Sequence, residues 1–273
     1  MEKRAIVTKW YKRLDFPREM DEVFYKALDR VKIEDGVTAE NIPTLVGLGE
    51  AGAILSLYFC ENMEREYKAR GIEYRFENDI KRVRNRLIKA FKKTGTLDVG
   101  DLTWERHYLM AREFRFGRLV FTLGKSPVDV ESKGIKLGDP VLQVHVPGGE
   151  PLLYEACVSA INEVREFVRE HFPEFNYRYL TCLSWLLDSS VKDLLGEGSN
   201  VIKFATLFEK VASHPSENIL RFVFGGGVTR ENLHGVEPVG RFQSALKESA
   251  LAGRVFYDVR GVIAIDKVLP EAI

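Results

Sequence analysis

The chain has 273 residues, 45% of them hydrophobic and 29% charged, with 40 basic side chains set against 40 acidic ones. That apolar fraction suffices for a sizeable core in one large or two modest domains. A formal net charge of zero excludes both the basic surplus of a dedicated nucleic-acid binder and the acidic composition of a disordered solvating protein.

Three scattered cysteines, Cys60, Cys157 and Cys182, form no CxxC zinc pattern, and an odd, sparse count does not describe a disulfide framework. No HxxxH, HExxH or carboxylate-rich metal constellation is present, and no GxSxG elbow. The basic N-terminus MEKRAIVTKWYKRLDF lacks the apolar stretch of a signal peptide. No run approaches the roughly 18 apolar residues of a membrane span. The expectation is a soluble cytoplasmic protein with neither a membrane nor a nucleic-acid partner and no metal.

The first third reads as helical. Pro17 suits the first turn of a helix that buries Met20, Val23, Phe24, Ala27 and Leu28. Helical spacing recurs over 49–69 and again over 75–93, where Ile80, Val83, Leu87 and Phe91 form one stripe. The opposite side of that third helix carries Lys81, Arg82, Arg84, Arg86, Lys89, Lys92 and Lys93. It is either a phosphate or nucleic-acid patch or a solvated helix face. Asp101-Leu-Thr-Trp-Glu starts a short helix.

Beyond this point the pattern changes to strands. In REFRFGRLVFTL the alternation slips phase at Gly117, which predicts a β-bulge. VLQVHV is a second strand, so 112–146 reads as a hairpin with a long polar loop. An amphipathic helix follows over 151–172, closed by Pro173. NYRYLTCLSW is a strand rich in aromatic and β-branched residues. LLDSSVKDLLGEGSN reads as helical turns and a loop, VIKFATLFEKVA is ambiguous between helix and strand, and NILRFVF reads as a strand ended by glycines. A helix over 239–252 and a last strand, GVIAID, complete the chain. The predicted class is α+β, with a helical domain over 1–108 and a mixed-sheet domain over 109–273.

LQVHVPGGEPLLYEA, at 142–156, runs from a strand through a glycine turn into a helix. Gly148 and Gly149 would let backbone approach a phosphate at the helix N-terminus. PGGEP is neither GxGxxG nor a Walker loop, and two prolines remove N–H donors. The alternative is a tight turn with Pro151 at the first helical position. On the strand, Val141, Gln143 and His145 share one face and Leu142, Val144 and Val146 the other. His145, beside the turn, is either a general base or a hydrogen-bonded structural histidine. In YRYLTCLSWLLD, Cys182 is a possible nucleophile or a small buried hydrophobe; Arg178, Tyr179, Ser184 and Trp185 lie around it. Ser199 or Asn200 caps the next helical segment.

WERHYLMAREFRFGRLVFTL, VHVPGGEPLLYEACVSAINEVREFVREHFPEFNYRYLTCLSWLLDSSVKDLL and GSNVIKF together resemble the bacterial acyltransferase-domain proteins. These join a helical N-acyltransferase-type N-terminal domain to a GNAT-like C-terminal domain. The resemblance runs from Trp104 to Phe204 and is weaker in the first third and the last sixty residues. It implies a GNAT-like sheet with flanking helices and acyl transfer from acyl-CoA or acetyl-CoA to a small-molecule amine or peptide acceptor. By order of elements, 141–147 would carry the pantetheine, so Val144, Val146, Gly148 and Gly149 become cofactor-binding candidates. His145 is then the expected base, and Ser184 or Tyr179 the acid for the leaving thiolate. Gln143, Arg178, Trp185 and Asn200 are expected to line the substrate pocket.

This sequence departs from the family pattern in two places. PGGEP replaces the Arg/Gln-x-x-Gly-x-Gly/Ala loop, and Leu183 stands where the pattern has histidine after cysteine. These departures motivate an alternative: a non-catalytic ligand- or protein-binding module on a degenerate GNAT-like fold. A third reading is an acyl-enzyme on Cys182.

Overall fold

A computed structural model describes residues 2–41, 48–100, 102–196 and 198–269. They form two compact units, Met1–Phe114 and Arg115–Ile273.

The first unit is helical: α1 (Glu2–Arg13), α2 (Asp21–Arg30), α3 (Glu50–Ala69), α4 (Glu73–Asp79), α5 (Lys81–Thr94) and α6 (Glu105–Leu109). Pro17 caps a single 3-10 turn, Arg18–Met20, that leads into α2. The helix read over 75–93 is two helices, α4 and α5, joined at Ile80. Asp101, the expected start of α6, lies outside the described residues, and α6 begins at Glu105. Trp10, Phe24, Ile54, Leu57, Met63 and Tyr67 are wholly buried. Tyr11 stacks on Phe24 at 3.6 Å, and buried Tyr67 donates to Asp79 at 2.9 Å. The basic side of α5 is partly structural. Arg82 pairs with Glu113 and Arg86 with Glu105, while Arg84 holds the carbonyls of Leu14 and Asp15. Lys89, Lys92 and Lys93, with Pro17, Arg84 and Ile88, line an open groove of about 740 Å³.

The second unit is built on a mixed sheet. Its strands are β1 (Glu113–Phe116), β2 (Leu119–Lys125), β3 (Pro140–His145), β4 (Tyr179–Ser184), β5 (Glu209–Pro215) and β6 (Tyr257–Ala264), in the order β1-β2-β3-β4-β6-β5. Helices α7 (Tyr154–His171), α8 (Asn200–Ala205), α9 (Asn218–Phe224) and α10 (Gly240–Leu251) flank it. This is the expected helical region followed by an α+β mixed sheet.

Two local expectations are corrected. Gly117 is not a bulge but, with φ +48°, the first loop residue between β1 and β2, which a tight II′ hairpin turn requires. The long polar loop joins β2 to β3 in an antiparallel hairpin, as expected. NILRFVF is helix α9, not a strand. Ile219 and Leu220 are fully buried with Leu233, Leu246 and Phe256, Val223 packs on the same cluster, and Phe222 is left 75% exposed. That i, i+1, i+4 burial suits a helix, and a short apolar run does not declare its period.

On the back of the sheet, Phe116 meets Phe167 of α7 edge-on at 5.2 Å. Gly261 lies under Phe208 and Leu187 so closely that a Cβ there would stand 2.6 Å from Phe208 Cβ.

Candidate functional site

The sheet parts at its only parallel junction among the described strands. β3 is antiparallel to β2 over six rungs, from Val120↔His145 to Lys125↔Pro140, and β4 to β6 over six, from Tyr179↔Ala264 to Ser184↔Val259. Between β3 and β4 the ladder has two rungs, Leu142↔Leu180 and Gln143↔Thr181. Beyond the Gln143↔Thr181 rung, β3 runs on to His145 and β4 to Ser184 with no further rung between them among the described residues. The opening lies at the carboxyl ends of two parallel strands, where open α/β sheets bind ligands.

Residues opposite one another in register share a face. The front therefore carries His145, Leu183 and Arg260 in one row, and Gln143, Thr181 and Val262 in the next. The back carries Leu142, Val144, Leu180 and Cys182, all buried. Val144 thus contributes backbone, not side chain, to the front.

His145 is half-buried on the last residue of β3, and Val146 follows outside the strand. Ser184 ends β4; its Oγ accepts from Leu186 N at 3.1 Å and caps the turn Trp185–Leu187, leaving its O–H to donate elsewhere. These two residues lie at the open end. Gln143, on the same face as His145, is drawn toward β2: its Nε2 donates to Lys125 O at 3.1 Å across Gly124.

Other expected site residues lie elsewhere. Tyr179 begins β4, at the closed end, against Val130, Ile135 and Val141. It is about 13 Å from the level of His145, at ~3.3 Å per strand residue. Arg178 precedes it and donates to Gly134 O at 2.7 Å. Trp185 is half-buried and stacks on Phe242 at 6.5 Å. Asn200 opens α8 behind its cap, Ser199, whose hydroxyl accepts from Val201 N. Glu197, in the loop before it, lies outside the described residues.

Cys182 is 2% exposed, and burial pushes its thiol up to about 12. A protonated thiol beneath the sheet has neither the charge nor the access of a nucleophile, so the geometry gives the acyl-cysteine reading no support. Asp188, at the end of SWLLD, is also buried. Its carboxylate accepts from Ser190 N, Ser190 Oγ and Tyr257 N at 2.8–2.9 Å. It ties the segment after β4 to β6.

The PGGEP loop also differs from expectation. Helix α7 begins at Tyr154, not at Pro151, because buried Leu152 anchors an extended link before it. Gly148 and Gly149 are exposed and precede the helix by six and five residues. Gly149 has φ +128°, a value that favours glycine. Sequence reasoning missed Arg118, in the β1–β2 turn, whose Nε donates to Glu150 O at 2.6 Å. Its signal, a Gly-Arg hairpin loop, was hidden inside an apparent bulge.

Sequence reasoning also missed a hollow of about 390 Å³ at the β5 edge of the back face, lined by Asp188, Ser190, Lys210, Ser213 and Tyr257. Burial and the charge of Lys192 hold the Lys210 ammonium below the usual lysine range. Among the described residues, no three His, Cys, Asp or Glu side chains converge to hold a metal, and no helix is long and apolar enough to cross a membrane.

Comparison with known structures finds acyltransferases. The chain is similar to an acyltransferase solved with decanoyl-CoA and teicoplanin, at 22% identity and TM-score 0.68, over 95% of this chain and 87% of that one. It is similar to one solved with decanoyl-CoA alone, at 24% identity and TM-score 0.66, over 94% and 86%. It is similar to one solved with CoA and 10C-teicoplanin, at 25% identity and TM-score 0.64, over 80% and 68%. A sequence search of curated proteins returns no match. Residues 114–263 match the GNAT-like C-terminal domain. With more than half of its length in that match and a sheet that opens between two parallel strands, the chain belongs to the GNAT-like C-terminal domain family.

Proposed function

We propose that this protein is an acyl-CoA-dependent N-acyltransferase acting on a small-molecule or peptide-like amine. The observation that carries the reading is the two-rung ladder between β3 and β4. An extended pantetheine arm fits there as an extra strand, hydrogen-bonding to backbone beyond the last rung. Backbone N–H groups from Val144 to Val146 then polarise the thioester carbonyl.

His145, at the mouth of the opening, takes the proton from the amine directly or through one water. The nitrogen attacks the carbonyl carbon, forming the C–N bond, and the C–S bond breaks as the tetrahedral adduct collapses. The electron pair leaves on sulfur, and the Ser184 hydroxyl at the same end of the sheet protonates it while regaining a proton from the protonated His145 through water, which returns both side chains to their starting state. The relatives solved with CoA, decanoyl-CoA and teicoplanin support an acyl-CoA donor and a peptide-like acceptor.

A second reading, a binding module without turnover, draws on Leu183 in place of the pattern's histidine. Free-thiol release from acetyl-, octanoyl- and decanoyl-CoA across a panel of amines decides between them. Amine-dependent release supports the transferase. Tight acyl-CoA binding with no release supports the binding module.

A further inference from the structure

Arg118 is 8% exposed, yet it has no carboxylate partner among the described residues. Its one hydrogen bond is from Nε to the neutral carbonyl of Glu150, and its Nη1 is buried with no hydrogen-bond partner. A buried charge without a counter-charge is costly, and proteins normally pair it.

The surroundings increase the mismatch. Neighbouring Gly117 lies against α7: a Cβ there would stand 4.0 Å from Ala156 O in the first helical turn. The charge of Arg118 also reaches the Cys157 thiol in that turn, lowering its pKa against the dominant upward effect of burial. No side chain caps α7 at Leu153. Arg118 is thus a cation close to the first turn of an 18-residue helix that has no side-chain cap at Leu153. Glu155 stands in that turn and its charge also reaches Cys157, but among the described residues no ion pair or hydrogen bond joins it to Arg118, so the guanidinium keeps an unused donor. One anion would satisfy the guanidinium and the helix end together.

We infer that Arg118 anchors a phosphate of the thioester donor and so distinguishes a phosphorylated pantetheine from pantetheine itself. This rests on the acyl-donor reading above. The arginine comes from the β1–β2 turn and supplies a charge that PGGEP lacks. The Glu150 carbonyl occupies Nε. Exposed Gly148 and Gly149, with no heavy atom within 4 Å of either Cβ position, let the loop yield as the phosphate replaces that carbonyl. The phosphate is either the pyrophosphate of CoA or the single phosphate of a phosphopantetheine arm.

The test compares octanoyl-CoA, S-octanoyl-4′-phosphopantetheine and S-octanoyl-pantetheine as donors for wild type, Arg118→Met and Arg118→Lys. In Arg118→Met, KM is expected to rise at least tenfold for the two phosphorylated donors. KM for the pantetheine thioester and kcat for all three are expected to stay within twofold. A rise confined to octanoyl-CoA identifies the pyrophosphate as the ligand. A shared rise identifies the phosphate next to pantetheine. Arg118→Lys, which keeps the charge, recovers part of the affinity and stands in if the methionine variant does not fold. Equal losses on all three donors, or none, overturn the inference. If the wild type consumes no thioester, the transferase reading fails by itself. Calorimetric titration with inorganic pyrophosphate then decides: binding lost in Arg118→Met upholds the anchor, and a wild type that does not bind overturns it.

Discussion

Gln143 and Thr181 form the last rung between β3 and β4, and His145 stands two residues beyond it on the same face. That spacing puts the imidazole at the mouth of the opening and not within the ladder. His145→Ala is expected to lower kcat by about 10²–10⁴-fold, the usual loss for a positioned general base, with KM for the donor nearly unchanged. Steady-state kinetics at saturating amine measures this. Intact turnover would remove His145 as the base.

Tyr179 separates position along β4 from membership in the motif. YRYLTCLSW presents tyrosine and serine as equivalent hydroxyls, but they stand at opposite ends of the strand. Tyr179→Phe should therefore leave kcat within about twofold, because an acid must lie within hydrogen-bond reach of the atom it protonates. Ser184→Ala should slow thiol release roughly tenfold or more by the same criterion. Equal effects of the two substitutions would contradict this assignment.

Much of the fold was legible from local pattern. The boundaries of α3 and α10, the strand around Cys182 and the long helix before Pro173 all follow from periodicity and punctuation. His145 as a strand-end histidine was legible too. Features made by non-local pairing were not. The two-rung ladder joins residues 38 positions apart, and no residue in either strand announces that the pairing stops. Arg118 was hidden because a two-residue hairpin loop and a bulge produce the same phase slip at Gly117. Nor does the charge of Asp188 beside the motif announce its role: its partners, Ser190 and Tyr257, make it a strut.

Removing that strut has a defined cost. Asp188→Ala strands the N–H groups of Ser190 and Tyr257 in a buried place and is expected to destabilise the protein by about 2–4 kcal/mol. Asp188→Asn retains an acceptor oxygen and should cost less. Urea titration of both variants reads the difference as a shift in midpoint at constant slope. Similar stability of Asp188→Ala and wild type would show that the three hydrogen bonds are not what hold this segment.

Gly261 tests the packing behind the site. A Cβ at that position would meet Phe208 Cβ at 2.6 Å and Leu187 Cδ1 at 2.7 Å. The Phe208 contact lies at the root of its side chain, so rotation alone does not relieve it. Gly261→Ala should cost about 1–3 kcal/mol, the range for overpacking a filled core. Gly261→Ala combined with Leu187→Ala should not recover stability, since the Phe208 clash remains. Full recovery in the double variant would place the strain at Leu187 instead.

Cys182 gives a stability prediction with a sign fixed by its burial. The thiol ionises near its ordinary value, 9.0, in the unfolded chain but near 12 in the folded protein. Between those values the unfolded state has released its proton and the folded state has not. Raising pH therefore favours unfolding, by about 1.4 kcal/mol per pH unit for this one group. The stability that the neutral thiol secures is present below pH ~9 and declines from there toward the folded value. Cys157, pushed up to about 11 by burial, acts in the same direction and remains in the variant as an internal comparison. Cys182→Ala will be less stable at neutral pH because it leaves a small void, but its stability should fall less steeply than wild type between pH 9 and 11. Urea midpoints across that range measure the slope. Parallel slopes for the two proteins would mean that the Cys182 thiol ionises as readily folded as unfolded. That result would restore it as an accessible nucleophile, to be sought as an acyl adduct by mass spectrometry.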